Sequence, residues 1–325
     1  MTGCRRSCRN IRWMNGSIRI RQKRSWDGCG CGEGRMKEYQ KLKDKFIMKN
    51  AWEDWASYRD QLTDLIVGLL TEMQSHVPAD MGSAEVTIIG AGRCNDVDLL
   101  RLVASAGNVL LLDIDKEAVQ EAVLSLPEDL QRKVEYRVAT ITGINEDDLG
   151  AFCDNMLSFA RLAGRKLNVE AFRRQLMTGM DSLAVKLVRE KEDLLNILPK
   201  ASTDVLVCCG VCSQFFSMLS FFIRSLLHSL NEIVADVKAL ENEVNERIRR
   251  MDDQVIPAIN RAFRCAARTA IVFGNEYMPG RPVEGAHQCI EDVRKSFRPE
   301  EKTLKWTFNR TEGISYDMLT QICRL

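Results

Sequence analysis

The chain has 325 residues, enough to bury one large hydrophobic core or two small ones. Hydrophobic residues make up 45% of it and charged residues 28%, as in a soluble globular protein. The formal net charge is only +1, so the overall charge does not indicate a nucleic-acid or strongly acidic partner. The longest apolar zone, residues 205–230, is interrupted by Arg224 and His228 and predicts a buried strand and helix, with no membrane span.

Residues 1–35 form a basic leader that contains nine basic residues, two acidic ones and four cysteines. We expect a disordered tail, or sequence upstream of the natural start, with Met36 as the natural first residue. A nucleic-acid arm is an alternative. A zinc knuckle is disfavoured because the CxxxC and CxC spacings suit a metal poorly and no His lies nearby.

Residues 36–82 predict an N-terminal helical cap, because apolar residues recur at spacings of three and four. Pro78 and Gly82 are the expected end signals of this helical zone. Trp52, Trp55 and Tyr58 would cover a ligand cleft, or else form a plain apolar helix face.

Residues 83–325 predict a single α/β domain. Short apolar runs alternate with helical stretches, which is typical of a parallel sheet covered on both faces. The five predicted strands are Val86–Ile89, Val109–Leu112, Val134–Val138, Asp204–Cys208 and Ala270–Phe273. Two further β-like runs, 303–309 and 314–322, are joined by a turn and predict an antiparallel hairpin at the end of the chain.

Two helical segments exceed what a minimal crossover needs. Residues 145–199 predict a helical insertion between the third and fourth strands. Residues 228–268 predict one or two long helices with an apolar stripe on one face. Core packing is the expected role of this stripe, and a homodimer through the long helices is the alternative.

The stretch VTIIGAGRCNDVDLL places Gly90, Ala91 and Gly92 between a strand and a helix. Glycines there let the backbone turn sharply and approach a ligand. Asp113 ends the second strand, 21 positions after Gly92, where a carboxylate could accept hydrogen bonds from ribose hydroxyls. These features together predict a nucleotide-type ligand, although a tight turn and a helix-capping Asp would also fit.

The same stretch discriminates among nucleotides. In the dinucleotide pattern GxGxxG the third glycine falls at Asn95, and Asp96 follows. A carboxylate beside a pyrophosphate would be repulsive, so NAD and FAD are disfavoured. S-adenosylmethionine (SAM) has no phosphate and carries an ammonium and a sulfonium, so an acidic rim suits it better.

In this order of elements the chain resembles the class I SAM-dependent methyltransferases. The resemblance covers about residues 50–325 and rests on IIGAGRCND, LLLDID, VEYRVATITGI, DVLVCCGVCSQFF and the closing hairpin. It implies a three-layer Rossmann-like methyltransferase fold: a mostly parallel sheet with a C-terminal antiparallel hairpin, an N-terminal helical cap and a helical insertion. Cys94 replaces the last glycine of the family's GxGxG, and Thr140 stands where many members have an acid.

The resemblance also implies roles for particular residues. The glycine turn would pass under the methionine part of SAM, with Asp96 near its ammonium. Asp113 would hold the ribose, and the adenine would lie between Ile114 and the third-strand loop. The implied cofactor-binding residues are Gly90, Ala91, Gly92, Asp96, Asp113, Ile114, Thr140, Ile141, Cys209 and Gly210.

Catalytic candidates are few. Cys208 and Cys209 lie in an apolar strand without a neighbouring His or cation, so packing with a raised thiol pKa is expected. His287 follows the loop after the fifth strand, at the edge where such sheets bind ligands, and is a weak candidate for an acceptor-side base. No metal site is expected. Gln214 could face the acceptor.

The predicted function is methyl transfer from SAM to a small-molecule acceptor, without a nucleic-acid or membrane partner. The alternatives are a non-catalytic methyltransferase-like binding or scaffold protein and, less favoured, an NAD-dependent oxidoreductase. The scattered cysteines show no disulfide framework, so a cytoplasmic location is the default expectation.

Overall fold

A computed structural model of the chain describes residues 48–76, 84–163, 168–230, 236–277 and 283–325. The predicted disordered tail, the proposed start at Met36 and the end signals Pro78 and Gly82 lie outside these residues. The division of the chain at residues 35 and 82 stays a prediction.

The described residues build one seven-stranded sheet in the order β3-β2-β1-β4-β5-β7-β6. Strands β1 to β5 are paired in parallel, whereas β7 runs antiparallel to both β5 and β6. The strands are β1 Glu85–Ile89, β2 Asn108–Asp113, β3 Val134–Val138, β4 Thr203–Cys209, β5 Ala267–Tyr277, β6 Glu300–Asn309 and β7 Ile314–Arg324.

Helices connect the parallel strands and precede the first one. They are α1 Ala51–Asp54, α2 Ala56–His76, α3 Leu99–Ser105, α4 Lys116–Leu124, α5 Glu128–Gln131, α6 Glu146–Ala163, α7 Val169–Ala184, α8 Ser217–Ser229, α9 Val237–Ala266 and α10 Ala286–Ser296. Short 3-10 turns occupy Lys191–Leu194 and Cys212–Gln214. The predicted insertion therefore contains α6, α7 and a 3-10 turn.

Two hydrophobic cores lie on the two faces of the sheet. On one face, α2, α3 and α4 pack against β1, β4, β5 and the hairpin; Leu62 and Ile66 of α2 are fully buried there. On the other face, α6 to α10 bury residues such as Phe172 and Phe263. The result is helix, sheet and helix in three layers, so the predicted Rossmann-like methyltransferase fold with a closing antiparallel hairpin is confirmed.

Some element boundaries differ from the sequence-based ones. The helix after the glycine turn begins at Leu99, because the Asp98 side chain accepts a hydrogen bond from the Arg101 N–H and caps it. Strand β5 continues past the apolar run to Tyr277, because its last residues pair with β7 as far as Asp317.

The apolar stripe of α9 packs into the chain's own core. Leu240, Val244, Ile248 and Met251 are each at most 5% exposed and belong to the α6–α10 side of the sheet. The stripe is therefore used by intramolecular packing along this part of the helix. A homodimer through the long helices stays a prediction.

The described cysteines are free thiols, seven of them buried. Across the described ranges, no helix is both long and apolar enough to cross a membrane. In the same residues, no group of three or more His, Cys, Asp or Glu side chains could hold a metal ion.

Candidate functional site

The glycine turn lies at the carboxyl end of β1, the central strand of the parallel part of the sheet. Gly90 has φ +65° and its N–H donates to the Leu112 carbonyl at 2.8 Å. A Cβ atom on Gly90 would lie 2.6 Å from Val211 Cγ2, so both the backbone conformation and the close approach require glycine. Gly92 has φ +48°, and a Cβ there would meet nothing within 4 Å.

Asp113 ties the end of β2 to this turn. Its Oδ2 accepts a hydrogen bond from the Gly92 N–H at 2.7 Å, and its Oδ1 accepts one from the Asp115 N–H at 2.8 Å. Burial raises the pKa of the Asp113 carboxyl, while these backbone bonds oppose the rise. Ile114 is half-buried beside it. Asp113 therefore lies next to the glycine turn, and its contact with a ribose stays a prediction.

Cys94 stands where the resemblance expects a third glycine, yet its backbone has a glycine-like conformation. Its φ is +55°, and its N–H donates to the Ala91 carbonyl at 2.8 Å, closing the turn. The residue is only 2% exposed and packs in the core beneath α2 and α3. The departure from the family pattern therefore changes the side chain and preserves the shape of the turn.

Asp96 lies just past the turn and is partly buried. Burial of its carboxyl, together with the nearby Asp113 carboxylate, raises the Asp96 pKa to about 6, whereas the Arg59 guanidinium acts to lower it. Asp96 therefore changes its ionisation state at about pH 6, and a cation placed beside it would favour the charged form.

Arg59 of α2 is a site residue that the sequence analysis missed. It is 6% exposed, its Nη1 donates to the Trp52 carbonyl at 2.8 Å and to the Asn95 carbonyl at 3.2 Å, and its guanidinium lies 3.6 Å from the centre of the Trp52 ring. The available signal was its spacing, since Arg59 lies four residues after Trp55 and three before Leu62, on the apolar side of this helical segment. A charged residue on a buried helix face needs a partner.

The aromatic residues of α1 and α2 have different environments. Trp55 Nε1 donates to the Phe308 carbonyl at 2.9 Å, and its ring contacts Trp306 of the hairpin. Tyr58 is 2% exposed, and its ring also contacts Trp306. Trp52 is half-exposed and stacks on Arg59. The helix therefore packs on the hairpin and reaches the glycine turn through Arg59.

The loop after β3 holds the predicted adenine contacts. The Thr140 hydroxyl donates to the Ile144 carbonyl at 2.8 Å and lies 3.1 Å from Thr142 Oγ1, so this side chain is used to shape the loop. Ile141 is 7% exposed and packs in the core on the α6–α10 side of the sheet. Their contact with an adenine stays a prediction.

Cys209 and Gly210 lie at the carboxyl end of β4, next to the glycine turn. Gly210 has φ +66°, and its N–H donates to the Gly274 carbonyl at 2.8 Å. Burial raises the pKa of the Cys209 thiol well above its usual value, and the nearby Asp96 carboxylate adds to the rise. The pKa of the Cys208 thiol is raised as well. Thiols held in the protonated form do not act as nucleophiles, which agrees with the packing role expected from sequence.

Glu276 is a second site residue that the sequence analysis missed. It lies near the end of β5, is 5% exposed, and its Oε1 accepts a hydrogen bond from the Ser213 hydroxyl at 2.7 Å. Burial raises the pKa of this carboxyl. His287, the candidate base from sequence, is instead exposed in the first turn of α10, and its catalytic role stays a prediction. Gln214 is exposed as well, within a 3-10 turn and not at the start of a helix.

No protein-family model and no curated protein sequence matches the chain. Its structure is similar to that of several methyltransferases. The O-methyltransferase TomG from Streptomyces achromogenes, determined in complex with SAM, shares 12% identity, with 90% of this chain and 91% of that chain covered and a TM-score of 0.41.

Magnesium protoporphyrin IX methyltransferase from Synechocystis PCC 6803, with bound SAM, shares 9% identity over 90% of this chain and 92% of that chain, with a TM-score of 0.39. Precorrin-6y C5,15-methyltransferase from Geobacter metallireducens GS-15 shares 11% identity over 82% of this chain and 87% of that chain, with a TM-score of 0.35. At such identities and TM-scores, these likenesses establish neither the activity nor the acceptor of this chain.

Proposed function

We propose that this protein transfers a methyl group from SAM to a small-molecule acceptor. The observation that carries the proposal is the presence of both a carboxyl, Asp96, and a guanidinium beside the Gly90–Gly92 turn; the guanidinium is that of Arg59, which donates to the Asn95 carbonyl and acts to lower the Asp96 pKa. SAM ends in an amino acid, which carries an ammonium and a carboxylate. Two opposite charges at one glycine turn suit such a zwitterion better than they suit a phosphate.

The described residues fit each part of SAM. Asp96 would attract the ammonium, and Arg59 would pair with the carboxylate, since a guanidinium has five N–H donors and both of its bonds described above come from Nη1. The open space beside Gly92 leaves room for the ligand to approach the backbone.

Asp113 suits the ribose. A carboxylate has about four lone-pair sites, and the N–H groups of Gly92 and Asp115 occupy two of them. The remaining sites can accept hydrogen bonds from ribose hydroxyls. Ile114 and the loop that contains Thr140 and Ile141 would then flank the adenine, as the resemblance implies.

SAM, when bound, supplies an electrophilic methyl group on a sulfonium. Methyl transfer by direct displacement needs a positioned acceptor and a water-poor site, with no nucleophile from the enzyme. The contributions of this chain are therefore binding and orientation at the Gly90–Gly92 turn, and exclusion of water by Tyr58 and Cys209, both buried.

A dinucleotide is disfavoured by the helix that follows the turn. The N-terminus of α3 is capped by the Asp98 carboxylate, which accepts from the Arg101 N–H. In the dinucleotide-binding arrangement the pyrophosphate would approach such a helix end. Here it would meet the carboxylates of Asp96 and Asp98, so the pyrophosphate of NAD would be repelled.

Calorimetric titration of the full chain with S-adenosylhomocysteine (SAH), SAM and NADH tests the proposal. We expect saturable binding of SAH and SAM and none of NADH. An absence of heat with both adenosyl ligands, confirmed by an unchanged melting temperature, would reject the methyltransferase function. NADH binding in their place would favour the oxidoreductase alternative.

Arg59→Met tests the zwitterion assignment. We expect the affinity for SAH to fall at least tenfold, while the affinity for 5′-methylthioadenosine, which lacks the amino-acid part, stays within twofold. Arg101→Met is the matched control, because Arg101 makes an exposed ion pair with Asp64 on the neighbouring helix α2. Equal losses for both ligands in the Arg59 variant would mean that Arg59 acts only through the fold.

A further inference from the structure

Glu276 extends the site from the glycine turn towards the hairpin. It lies two residues beyond Gly274, which pairs with Cys209 across the parallel strands β4 and β5. A Cβ on Gly274 would lie 2.8 Å from Cys209 Sγ and 3.3 Å from the Tyr58 hydroxyl, so both side chains lie over this glycine. Asp96 and Glu276 both contribute to the raised pKa values of Tyr58 and Cys209. These four residues form one cluster.

One oxygen of Glu276 has no partner. Oε1 accepts from the Ser213 hydroxyl, whereas Oε2 is buried and makes no hydrogen bond with any described residue. The residue is 5% exposed. A buried polar atom left unsatisfied costs free energy, on the order of 1–3 kcal/mol. Beside a predicted ligand path, such an atom can accept a hydrogen bond from a donor on the ligand.

The neighbours of Glu276 do not neutralise it. The Tyr58 hydroxyl, the Cys209 thiol and the Tyr316 hydroxyl on β7 are near Glu276, and burial raises the pKa of all three groups. They stay neutral near pH 7 and offer no positive charge. Ser213 is only partly buried and marks the side from which a small ligand could reach the carboxyl.

The charge balance of the site selects the kind of ligand. The candidate site contains the carboxyls of Asp96, Asp113 and Glu276. The guanidinium of Arg59 is the cation that acts on Asp96. SAM brings two positive charges and one negative, so the loaded site would still have an excess of one negative charge if all three carboxyls are ionised. Buried charges are stable when they are paired. Burial favours the protonated form of Glu276, so a neutral acceptor would leave it protonated, whereas an ammonium would favour the carboxylate and pair with it.

We propose that Glu276 is a catalytic residue that binds the methyl acceptor, and that the acceptor is an amine that enters in its ammonium form. This inference rests on the proposed methyltransferase function and names the substrate class of that site. Oε2 accepts a hydrogen bond from the ammonium N–H, and Ser213 holds the other oxygen in place.

Glu276 also takes a proton. An ammonium has no lone pair and cannot attack a methyl group. When one N–H bond breaks, its proton forms an O–H bond with Oε2 and its electron pair stays on nitrogen, which becomes the nucleophile. A buried carboxyl, whose proton affinity is increased by its surroundings, suits this exchange. After transfer the proton leaves to solvent by way of the partly exposed Ser213 side.

Calorimetry of the full chain saturated with SAH tests the inference, because SAH has no methyl group to transfer and binding alone is measured. The probes are three amines, each paired with the alcohol of the same carbon skeleton: benzylamine with benzyl alcohol, phenethylamine with 2-phenylethanol, and cyclohexylmethylamine with cyclohexylmethanol. We expect at least one amine to bind at least tenfold more tightly than its alcohol.

Glu276→Gln should weaken binding of that amine at least tenfold, because the amide retains the Ser213 bond but places an N–H₂ group where Oε2 was. Asp252→Asn is the matched control: it makes the same acid-to-amide change at a buried acid, 2% exposed, on α9 at the other face of the sheet, and should leave amine binding unchanged. Glu276→Asp retains the charge and should retain part of the affinity. Melting temperatures verify that each variant is folded.

A second measurement detects the release of protons when the amine binds. An ammonium bound beside Glu276 favours its carboxylate, so wild-type protein should release protons on amine binding, detected as a heat that depends on the ionisation enthalpy of the buffer. Glu276→Gln should release none.

The inference is overturned if no amine binds, if the alcohols bind equally, or if Glu276→Gln binds amines as the wild type does. Failure of SAH itself to bind would instead reject the proposed function.

Discussion

The carboxylate of Asp113 accepts a hydrogen bond from the backbone N–H of Gly92, 21 residues earlier, at 2.7 Å. This bond joins the end of β2 to the turn after β1 and fixes both at the carboxyl edge of the sheet. Because the second oxygen accepts from the Asp115 N–H, each oxygen of Asp113 already faces a donor. The side chain is thus oriented before any ligand arrives.

Asp113→Asn should lower both ligand affinity and stability. An amide has one acceptor oxygen, so its N–H₂ group must face the N–H of Gly92 or of Asp115. We expect a loss of about 1–3 kcal/mol in the free energy of unfolding and an SAH affinity at least tenfold lower.

Asp98→Ala is the control: it removes the cap of α3 at a comparable cost of about 0.5–2 kcal/mol, yet should preserve SAH affinity. Urea unfolding and calorimetry measure the two effects, and equal SAH affinities in the wild type and Asp113→Asn would contradict the ribose assignment.

Gly92→Ala should separate ligand binding from folding. Gly92 and Gly313 both have left-handed φ angles, +48° and +66°, and a Cβ at either position meets nothing within 4 Å. Alanine should therefore cost about 1–2 kcal/mol of stability at each position. Only the Gly92 variant, at the glycine turn, should lose SAH affinity, by at least tenfold, because its methyl group occupies the space left for the ligand. If Gly313→Ala lost SAH affinity to the same extent, the loss in Gly92→Ala would be due to general destabilisation.

The Asp96 carboxyl should make SAH binding depend on pH. Its pKa is raised to about 6 in the protein without ligand, and the ligand ammonium favours the ionised form. Affinity should therefore rise between pH 5 and pH 7 and level off above. Titrations with SAH at several pH values should show this step, whereas 5′-methylthioadenosine, which has no ammonium, should show none. A step of equal size for both ligands would assign the titration to another group.

The Asp252 carboxyl should make the free energy of unfolding fall as the pH rises, whereas a salt-bridged carboxylate makes it rise. Burial, with Glu284 and Asp253 nearby, raises its pKa to about 8, compared with about 3.9 in an unfolded chain. The folded state therefore favours the protonated acid, and the stabilisation is complete below pH 4 and lost as the pH rises towards 8.

Asp252→Asn removes this contribution and should reduce the decline in stability between pH 5 and pH 9. Each unit of pKa shift corresponds to about 1.4 kcal/mol. Urea unfolding at pH 5, 7 and 9 measures the difference from the wild type. Parallel pH profiles for the two proteins would show that Asp252 is not protonated in the folded chain.

The fold could be predicted from local patterns because each parallel strand is a short apolar run and each crossover has helical spacing. The turn at Gly90 and the acid at Asp113 were also visible, since both are fixed by their distance along the chain. Arg59 and Glu276 were not. Their significance comes from burial next to groups that are distant in sequence, such as Asn95 for Arg59 and Ser213 for Glu276. Spacing can place a polar residue such as Arg59 on a buried helix face, but it does not show which groups distant in sequence will contact that residue.

Cys94 has a broader consequence. Its left-handed backbone preserves the turn, while its thiol gains burial that a glycine would not provide. The turn requires a particular main-chain path at this position, and a side chain is compatible with that path where its packing offsets the conformational strain of about 1–2 kcal/mol. A sequence pattern that requires glycine at this position does not match the chain, although the turn has the left-handed backbone conformation that a glycine would adopt. Relatives of this protein are therefore better sought by φ angles at the turn than by counting glycines.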